Sequence, residues 1–268
     1  MKNKKIAIIG AGNLGRSIAE GLVEKRISIA EDITLTRRDL SALKDLEEKG
    51  FQTTRKNVQA AHQSDIILLC VQPSQLAEVL NEIQESLSRK KLLISVITGI
   101  SLQQIISQIS TEVAIVRAMP NTAIAIGESM TCIASSNSEG LEIAKELFDA
   151  VGKTVVIEEE LMQAATVLGA SGIAFFMRYL RAATQGGIQM GFDSRDAQLI
   201  AMQTAKGAAS LVLENDSHPE VEIDKVTTPQ GCTIEGLNEM EHQGFSSALI
   251  QGIMTSFHRI TKMKSAKD

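Results

Sequence analysis

Gly10-Ala11-Gly12-Asn13-Leu14-Gly15 stands directly behind an apolar run at residues 5–9 and directly ahead of a helical pattern, and this arrangement constrains the chain more than any other feature. A strand, a turn with three glycines at this spacing and a helix form an entry in which each glycine has a separate task. Gly10 permits the tight turn, Gly12 lets the backbone approach a pyrophosphate, and Gly15 lets the helix lie close on the strand. The helix N-terminus then faces the anion. Gly10, Gly12, Asn13, Leu14 and Gly15 are therefore read as the cradle of a dinucleotide. The alternative is a glycine turn that binds nothing.

The rest of the first half continues the pattern. Short apolar runs at 32–36, 65–71, 92–97 and 113–118 alternate with amphipathic stretches, as parallel strands joined by crossover helices do. Ile18, Leu22 and Val23 share one helical face, Leu40, Leu43 and Leu46 a second, and Leu76, Val79, Leu80 and Ile83 a third. Segments 129–134 and 154–157 add strands at the far edge, with a helix over 138–151 between them. The expectation is a doubly wound α/β sheet. After Ile157 no strand pattern returns, which places a domain boundary between 1–157 and 158–268. One long helix is expected over 161–191, bent near Gly169 and Gly172 and stopped at Gly191. Ser194 is expected to cap the next helix, to about Glu214. Phe245, Leu249, Ile253 and Phe257 define a final one. So much apolar helix in so small a domain must pack against something, and a core shared in a homodimer is the preferred reading.

Composition excludes several functions. With 44% apolar and 22% charged residues the chain can fill a core and is not disordered. Residues 1–157 carry 18 basic and 18 acidic side chains, leaving 9 and 14 of the totals of 27 and 32 for the remainder, so no basic surface is implied. With no Trp and one Tyr there are few rings for bases to stack on. No nucleic-acid partner is expected. Cys70, Cys132 and Cys232 lie far apart in odd number, as in a reducing compartment. Gly10, Gly12, Asn13 and Arg16 interrupt the apolar N-terminal stretch, which is read as mature protein. The uncharged run 161–177 contains Gln, Thr, Ser and two Gly, and is read as a buried helix rather than a membrane span. The expectation is a soluble cytoplasmic protein with no membrane partner.

Four further segments bear on chemistry. The second strand ends in Arg37-Arg38, where an NAD site usually carries a ribose-binding carboxylate. Two guanidiniums suit a 2′-phosphate and favour NADPH, while Asp39 keeps a ribose contact, and NADH, as the alternative. Met119-Pro120-Asn121 follows a strand at its carboxyl end, where open sheets bind ligands, and reads either as a nicotinamide or substrate edge or as a plain turn. Residues 226–236 place Thr228 and Thr233 around Pro229-Gln230-Gly231-Cys232, just ahead of a helical pattern. Such a loop offers hydroxyls and backbone N–H groups to a carboxylate, or is a capped turn. The histidines His62, His218, His242 and His258 are scattered without a metal-ligand spacing, so surface or capping roles and no metal are expected.

Taken together these segments resemble the pyrroline-5-carboxylate reductases, which make proline by reducing a cyclic imine with NAD(P)H. The resemblance spans nearly the whole chain: the glycine turn, Asn57 ahead of Ser64-Asp65-Ile66, Val71-Gln72-Pro73, Met119-Pro120-Asn121-Thr122, Ser171-Gly172, His218-Pro219 and 226–237. It implies an N-terminal Rossmann-type sheet and an all-α C-terminal dimerisation domain that interlocks with its partner, as a homodimer or a larger assembly of dimers, with each active site built between subunits. It also implies that Asn57, Val71, Gln72, Pro73 and Met119, Pro120 and Asn121 line the dinucleotide. Thr228, Gly231 and Thr233 take the positions of a V-x-S-P-G-G-x-T loop whose hydroxyls and amides hold the substrate carboxylate and ring nitrogen, with Gln230 and Cys232 beside them. Thr228 and Thr233 are thus the expected catalytic pair, with Thr233 on the ring nitrogen.

Departures cluster around the substrate. Thr228 replaces Ser, Gln230 replaces Gly, Ala123 replaces Pro, Gln72 replaces Lys, and Gly169-Ala170-Ser171-Gly172-Ile173 replaces S-G-S-G-P. They leave open a divergent paralogue acting on another imine or keto substrate. A protonated imine is already electrophilic and takes hydride without a strong general acid, so the lack of an evident catalytic His or Lys fits. A β-hydroxyacid dehydrogenase would need a Lys early in the helical domain, and residues 161–205 contain none. A non-catalytic NADP(H) sensor is the remaining alternative.

Overall fold

The structure, a computed structural model, describes residues 4–265. Eight strands form one sheet: β1 (Ile6–Ile9), β2 (Ile33–Thr36), β3 (Gln52–Thr54), β4 (Ile66–Leu69), β5 (Leu92–Ser95), β6 (Ala114–Met119), β7 (Ser129–Ala134) and β8 (Gly152–Val156). Their order is β3-β2-β1-β4-β5-β6-β7-β8, and the sheet reverses direction once, at the antiparallel β6–β7 pair. β1 lies inside, with Ile6 opposite Ile33 on one side and Ile66 on the other. Successive strand side chains point to opposite faces. Ile6 and Ile8 accordingly join one buried cluster with Ile18, Leu22, Leu68 and Phe148, and Ala7 and Ile9 join the opposite one with Ala60, Leu80 and Leu93. Both faces are covered, which is why these strands are apolar throughout. Each aliphatic side chain so buried contributes about 1.5–3 kcal/mol.

The crossovers carry α1 (Asn13–Glu24), α2 (Lys44–Glu48), α3 (Asn57–Gln63), α4 (Leu76–Ile83), α5 (Leu102–Ile106) and α6 (Ser138–Asp149). The doubly wound sheet is the expected one. The second helix is shorter than its pattern predicts: Leu40–Leu43 form a 3-10 turn and α2 adds one further turn. β3 is the strand that apolar patterning does not announce, because Gln52, Thr53 and Thr54 form a short polar edge.

The described chain separates into two compact units: one reaches to Ser171 and takes up again at Phe257, and the other is Gly172–Ser256. The helices after β8 are α7 (Met162–Ala165), α8 (Gly172–Gln189), α9 (Ser194–Asn215), α10 (Pro219–Val226), α11 (Cys232–His242) and α12 (Phe245–Ser265). Near Gly169 and Gly172, where a bend is expected, a π-helical turn, Thr166–Ser171, lies between α7 and α8. Gly191 stops α8 as expected: at φ +106° it sits in the left-handed region, and the bonds from Gly191 N to Ile188 O and Phe192 N to Gly187 O close a Schellman motif. α9 is capped by Asp193, not Ser194. The Asp193 carboxylate accepts from the Arg195 and Asp196 amides, so Ser194 is the first helical residue.

The run 161–177 is only partly buried within this chain: Met162, Thr166 and Val167 are buried, but the large side chains beyond them are not. Leu168 is 71% and Met177 61% exposed. The buried residues of α8 and α9 are the small Thr184, Gly187, Ala197 and Ala205, which leaves the large apolar side chains outside. By length and composition alone, Glu159–Gln189 is long and apolar enough to cross a membrane.

Candidate active site

The turn from β1 into α1 is built as its glycines require. Gly10 has φ +93°, and a Cβ there would stand 2.8 Å from Cys70 O. A Cβ on Gly15 would meet Gly10 O and Ile8 Cγ2 at 3.0 Å, so the helix can lie this close to the strand only without one. Above Gly12 there is open space, and no side chain caps α1. Gly10 and Gly12, at the N-terminal end of this 12-residue helix, line a cavity of about 520 Å³, and among the described residues no side chain caps the helix there. Those features fit a dinucleotide pyrophosphate, with the chain's own amides as its ligands.

Gly10, Gly12, Arg37, Arg38, Asn57, Val71 and Gln72 all line that cavity. Asn13, Leu14 and Gly15 belong to the adjoining helix turn, and Pro73 opens the 3-10 turn behind Gln72. Three lining residues that patterning missed are Arg55, Glu78 and Glu82, brought in from the end of β3 and from α4. No local motif marks them, since the contacts arise only when β2, β3 and β4 align.

The arginines are not equivalent. Arg37 Nη1 donates to Ala11 O at 3.0 Å and so braces the glycine turn itself. Arg38 has no hydrogen-bond or ion-pair partner among the described residues, and Arg55 lines the same wall. Asp39 is occupied: its Oδ1 accepts from the Ser41 hydroxyl at 2.7 Å and the Ser41 amide at 3.0 Å. Those bonds, helped by the charges of Arg37 and Arg55, hold its carboxyl below the usual range. Both bonds fall on Oδ1, so the other carboxylate oxygen can still accept from a ribose hydroxyl. Burial pushes the thiol of Cys70, beside the turn, up to about 12.

At the end of β6 the expected edge residues have defined structural partners. Met119 packs with Ala134 and Met162. Asn121 is 8% exposed, and its side chain both accepts from the Ala123 amide at 3.0 Å and donates to Gly169 O, inside the π-turn, at 3.3 Å. Two strand residues before Met119, the buried Arg117 pairs with Glu159 at 3.1 Å, and Glu159 also accepts from the Leu102 amide. Burial lowers the Arg117 pKa, and Glu159 opposes that shift.

In the 226–236 loop, Gly231 N donates to Thr228 O at 2.9 Å across Pro229-Gln230. Gln230 occupies the left-handed region at φ +57°. Gly231 then starts α11 without a side-chain cap. Thr228, Gln230, Cys232 and Thr233 are exposed, and neither threonine hydroxyl has a partner among the described residues. His218 caps α10, its Nδ1 accepting from the Glu220 amide at 3.2 Å. Among the described residues no group of His, Cys, Asp and Glu can hold a metal.

A mostly parallel sheet with an open glycine turn, an arginine wall and an uncapped helix N-terminus defines a dinucleotide-binding protein. Residues 5–99 match the family model for NADP oxidoreductase, coenzyme F420-dependent, and residues 159–263 the model for pyrroline-5-carboxylate reductase dimerisation. Pyrroline-5-carboxylate reductase 2 of Dictyostelium discoideum is 44% identical over 98% of this chain and 94% of its own length. Pyrroline-5-carboxylate reductase 1 of the same organism is 48% identical over 98% of this chain, which spans 50% of that longer protein. A solved pyrroline carboxylate reductase of Plasmodium falciparum with NADP bound shares 25% identity, covers 98% of this chain and 99% of its own, and superposes with a TM-score of 0.89. The chain belongs to the pyrroline-5-carboxylate reductase family.

Proposed function

We propose that this chain reduces 1-pyrroline-5-carboxylate to proline at the expense of NADPH. The observation that carries the reading is the open, uncapped glycine turn facing an arginine wall, in a chain that belongs to this family over nearly its whole length. NADPH, when bound, supplies the hydride. The chain's part is to hold and orient. Gly10, Gly12, Asn13, Leu14 and Gly15 take the pyrophosphate, Arg38 and Arg55 the 2′-phosphate, and Arg37 stiffens the turn while adding its charge. Asn57, Val71, Gln72 and Pro73 form the flank, with Met119, Pro120 and Asn121 at the nicotinamide edge. Thr228 and the Gly231 amide hold the substrate carboxylate, with Gln230 and Cys232 beside them, and the Thr233 hydroxyl accepts from the protonated ring nitrogen. The imine carbon gains the hydride, the C=N π pair becomes the nitrogen lone pair, and the proton already on nitrogen stays there. Rate then comes from orientation rather than from a strong acid.

The family match at 159–263 supports a division into 1–157 for the dinucleotide and 158–268 for dimerisation and substrate. It likewise supports a homodimer, alone or within a larger assembly, acting on a small molecule rather than on nucleic acid or a membrane. A cytoplasmic setting agrees with three unpaired cysteines. Gln230 in a backbone region that glycine favours is the observation behind a second reading, a relative acting on a different imine. The test is oxidation of NADPH by the purified protein with 1-pyrroline-5-carboxylate and then with other cyclic imines. Turnover with the first compound is expected, and Thr233→Ala should lower it about tenfold, the value of one transition-state hydrogen bond, with nucleotide affinity unchanged. No turnover by the parent with that compound removes the proline assignment.

A further inference from the structure

Glu82, in the last turn of α4, has no place in the dinucleotide reading above, yet it ends a chain of hydrogen bonds that begins at the first glycine of the turn. Its Oε2 accepts from Asn57 Nδ2 at 2.8 Å. The other end of the same amide, Asn57 Oδ1, accepts from the Thr36 hydroxyl at 2.6 Å. Thr36 Oγ1 in turn accepts from the Gly10 amide at 3.3 Å, while Thr36 O accepts from Gly10 N and Ala11 N at 3.2 and 2.9 Å. Thr36 is buried, so its hydroxyl must find these partners inside the protein.

We propose that Glu82 is a positioning residue for the dinucleotide, acting by fixing the polarity of this chain of bonds. A primary amide is nearly symmetric in shape but opposite in character at its two ends. A carboxylate accepts only, so Glu82 forces Asn57 to turn its NH₂ outward and its oxygen toward Thr36. The Thr36 hydroxyl then has an acceptor for its proton and spends that proton on Asn57. Its lone pairs are left toward the Gly10 N–H, which fixes the peptide plane at the start of the turn. Without an acceptor at position 82 the amide is free to rotate. With its NH₂ toward Thr36, the hydroxyl oxygen faces two donors and its own proton loses its acceptor. The defect falls on the Gly10 peptide, next to the open space over Gly12 that the pyrophosphate is read to occupy.

The proposal rests on the dinucleotide reading but not on the identity of the imine, so its test is nucleotide binding without substrate. Glu82→Gln and Glu82→Leu remove the same charge, and Gln alone can still present an oxygen to Asn57 Nδ2. The full chain is titrated with NADPH and with NADH, and its thermal midpoint is recorded. Glu82→Gln should bind both nucleotides within about twofold of the parent, and Glu82→Leu about tenfold more weakly, with equal loss for the two because the defect lies at the turn. Glu82 is exposed, so both variants should melt within about 2 °C of the parent. Equal affinities for Gln and Leu overturn the proposal, as does a loss confined to NADPH or one that tracks a fall in melting temperature. A parent that binds neither nucleotide overturns the dinucleotide reading and this one with it, whereas binding without imine turnover leaves this one standing.

Discussion

The two units of this chain solve the burial problem in opposite ways. In the sheet unit, β1, β4 and β5 are covered on both faces, and Ile6, Ile8, Leu68 and Ile94 are fully buried. In Gly172–Ser256 the buried positions are small, while Met190 is 77%, Leu199 65% and Leu213 81% exposed. Isolated apolar side chains on a surface are ordinary, but a succession of large ones along several helices marks an interaction surface. The first unit has a core of its own making. The second carries half of one, which agrees with its match to a dimerisation model.

The largest expected effect separates those two conditions. Leu199 and Leu213 lie 14 residues apart on α9, close to one face. Leu199→Glu combined with Leu213→Glu removes about 3–6 kcal/mol of burial from an interface that uses both, and so weakens self-association by at least about a hundredfold. Sedimentation should show the parent as a dimer or larger at micromolar concentration and the double variant as a monomer. A monomeric parent breaks the contrast between the units.

A smaller effect sharpens it from the other side, since a unit with its own core should keep its site chemistry local. Arg38→Ala with Arg55→Ala should weaken NADPH binding by about ten- to a hundredfold, one or two charge-assisted bonds, with little change for NADH. Arg37→Ala, which releases the Ala11 carbonyl, should weaken both nucleotides. All of these variants should sediment like the parent. Titration calorimetry with the two nucleotides checks the pattern, and parallel losses for all three arginines would show that the division of labour among them is wrong.

The smallest effect concerns the helical unit's own loop. Gln230→Gly relieves a left-handed side chain, a gain partly offset by the greater freedom of an unfolded glycine. The net stabilisation should be about 0.5–1 kcal/mol, or about 1–3 °C in thermal midpoint. A lower midpoint would mean that the Gln230 side chain makes contacts worth more than the backbone strain.

What could be read from sequence was whatever depends on neighbours in the chain. The glycine turn follows from three residues and the elements that flank them, and the strands follow from runs such as Ile66–Leu69. The left-handed stop at Gly191 follows from glycine's lack of a side chain. What escaped depends on distant partners. Arg55 and Glu82 look like ordinary surface charges until β3 and α4 bring them to one cavity. β3 is too short and polar to alternate. Asp193 rather than Ser194 caps α9 because both are good caps and only backbone geometry decides between them. The partial exposure of 161–177 escaped for a different reason: apolar sequence reports a preference for burial, not whether the chain's own fold supplies it.

The single antiparallel pairing in the sheet also bears on the order in which the molecule assembles. Parallel neighbours such as β1 and β4 must wait for a long crossover to close, whereas β6 and β7 are joined by residues 120–128 alone. Short loops close fast, and contacts between near neighbours in sequence form before distant ones. The β6–β7 pairing is thus the most local in the sheet, although Met119 and Asn121 at its end also lean on Met162 and Gly169. The glycine turn, by contrast, is held from Thr36 and Cys70, at the ends of β2 and β4, which reach β1 only across long crossovers.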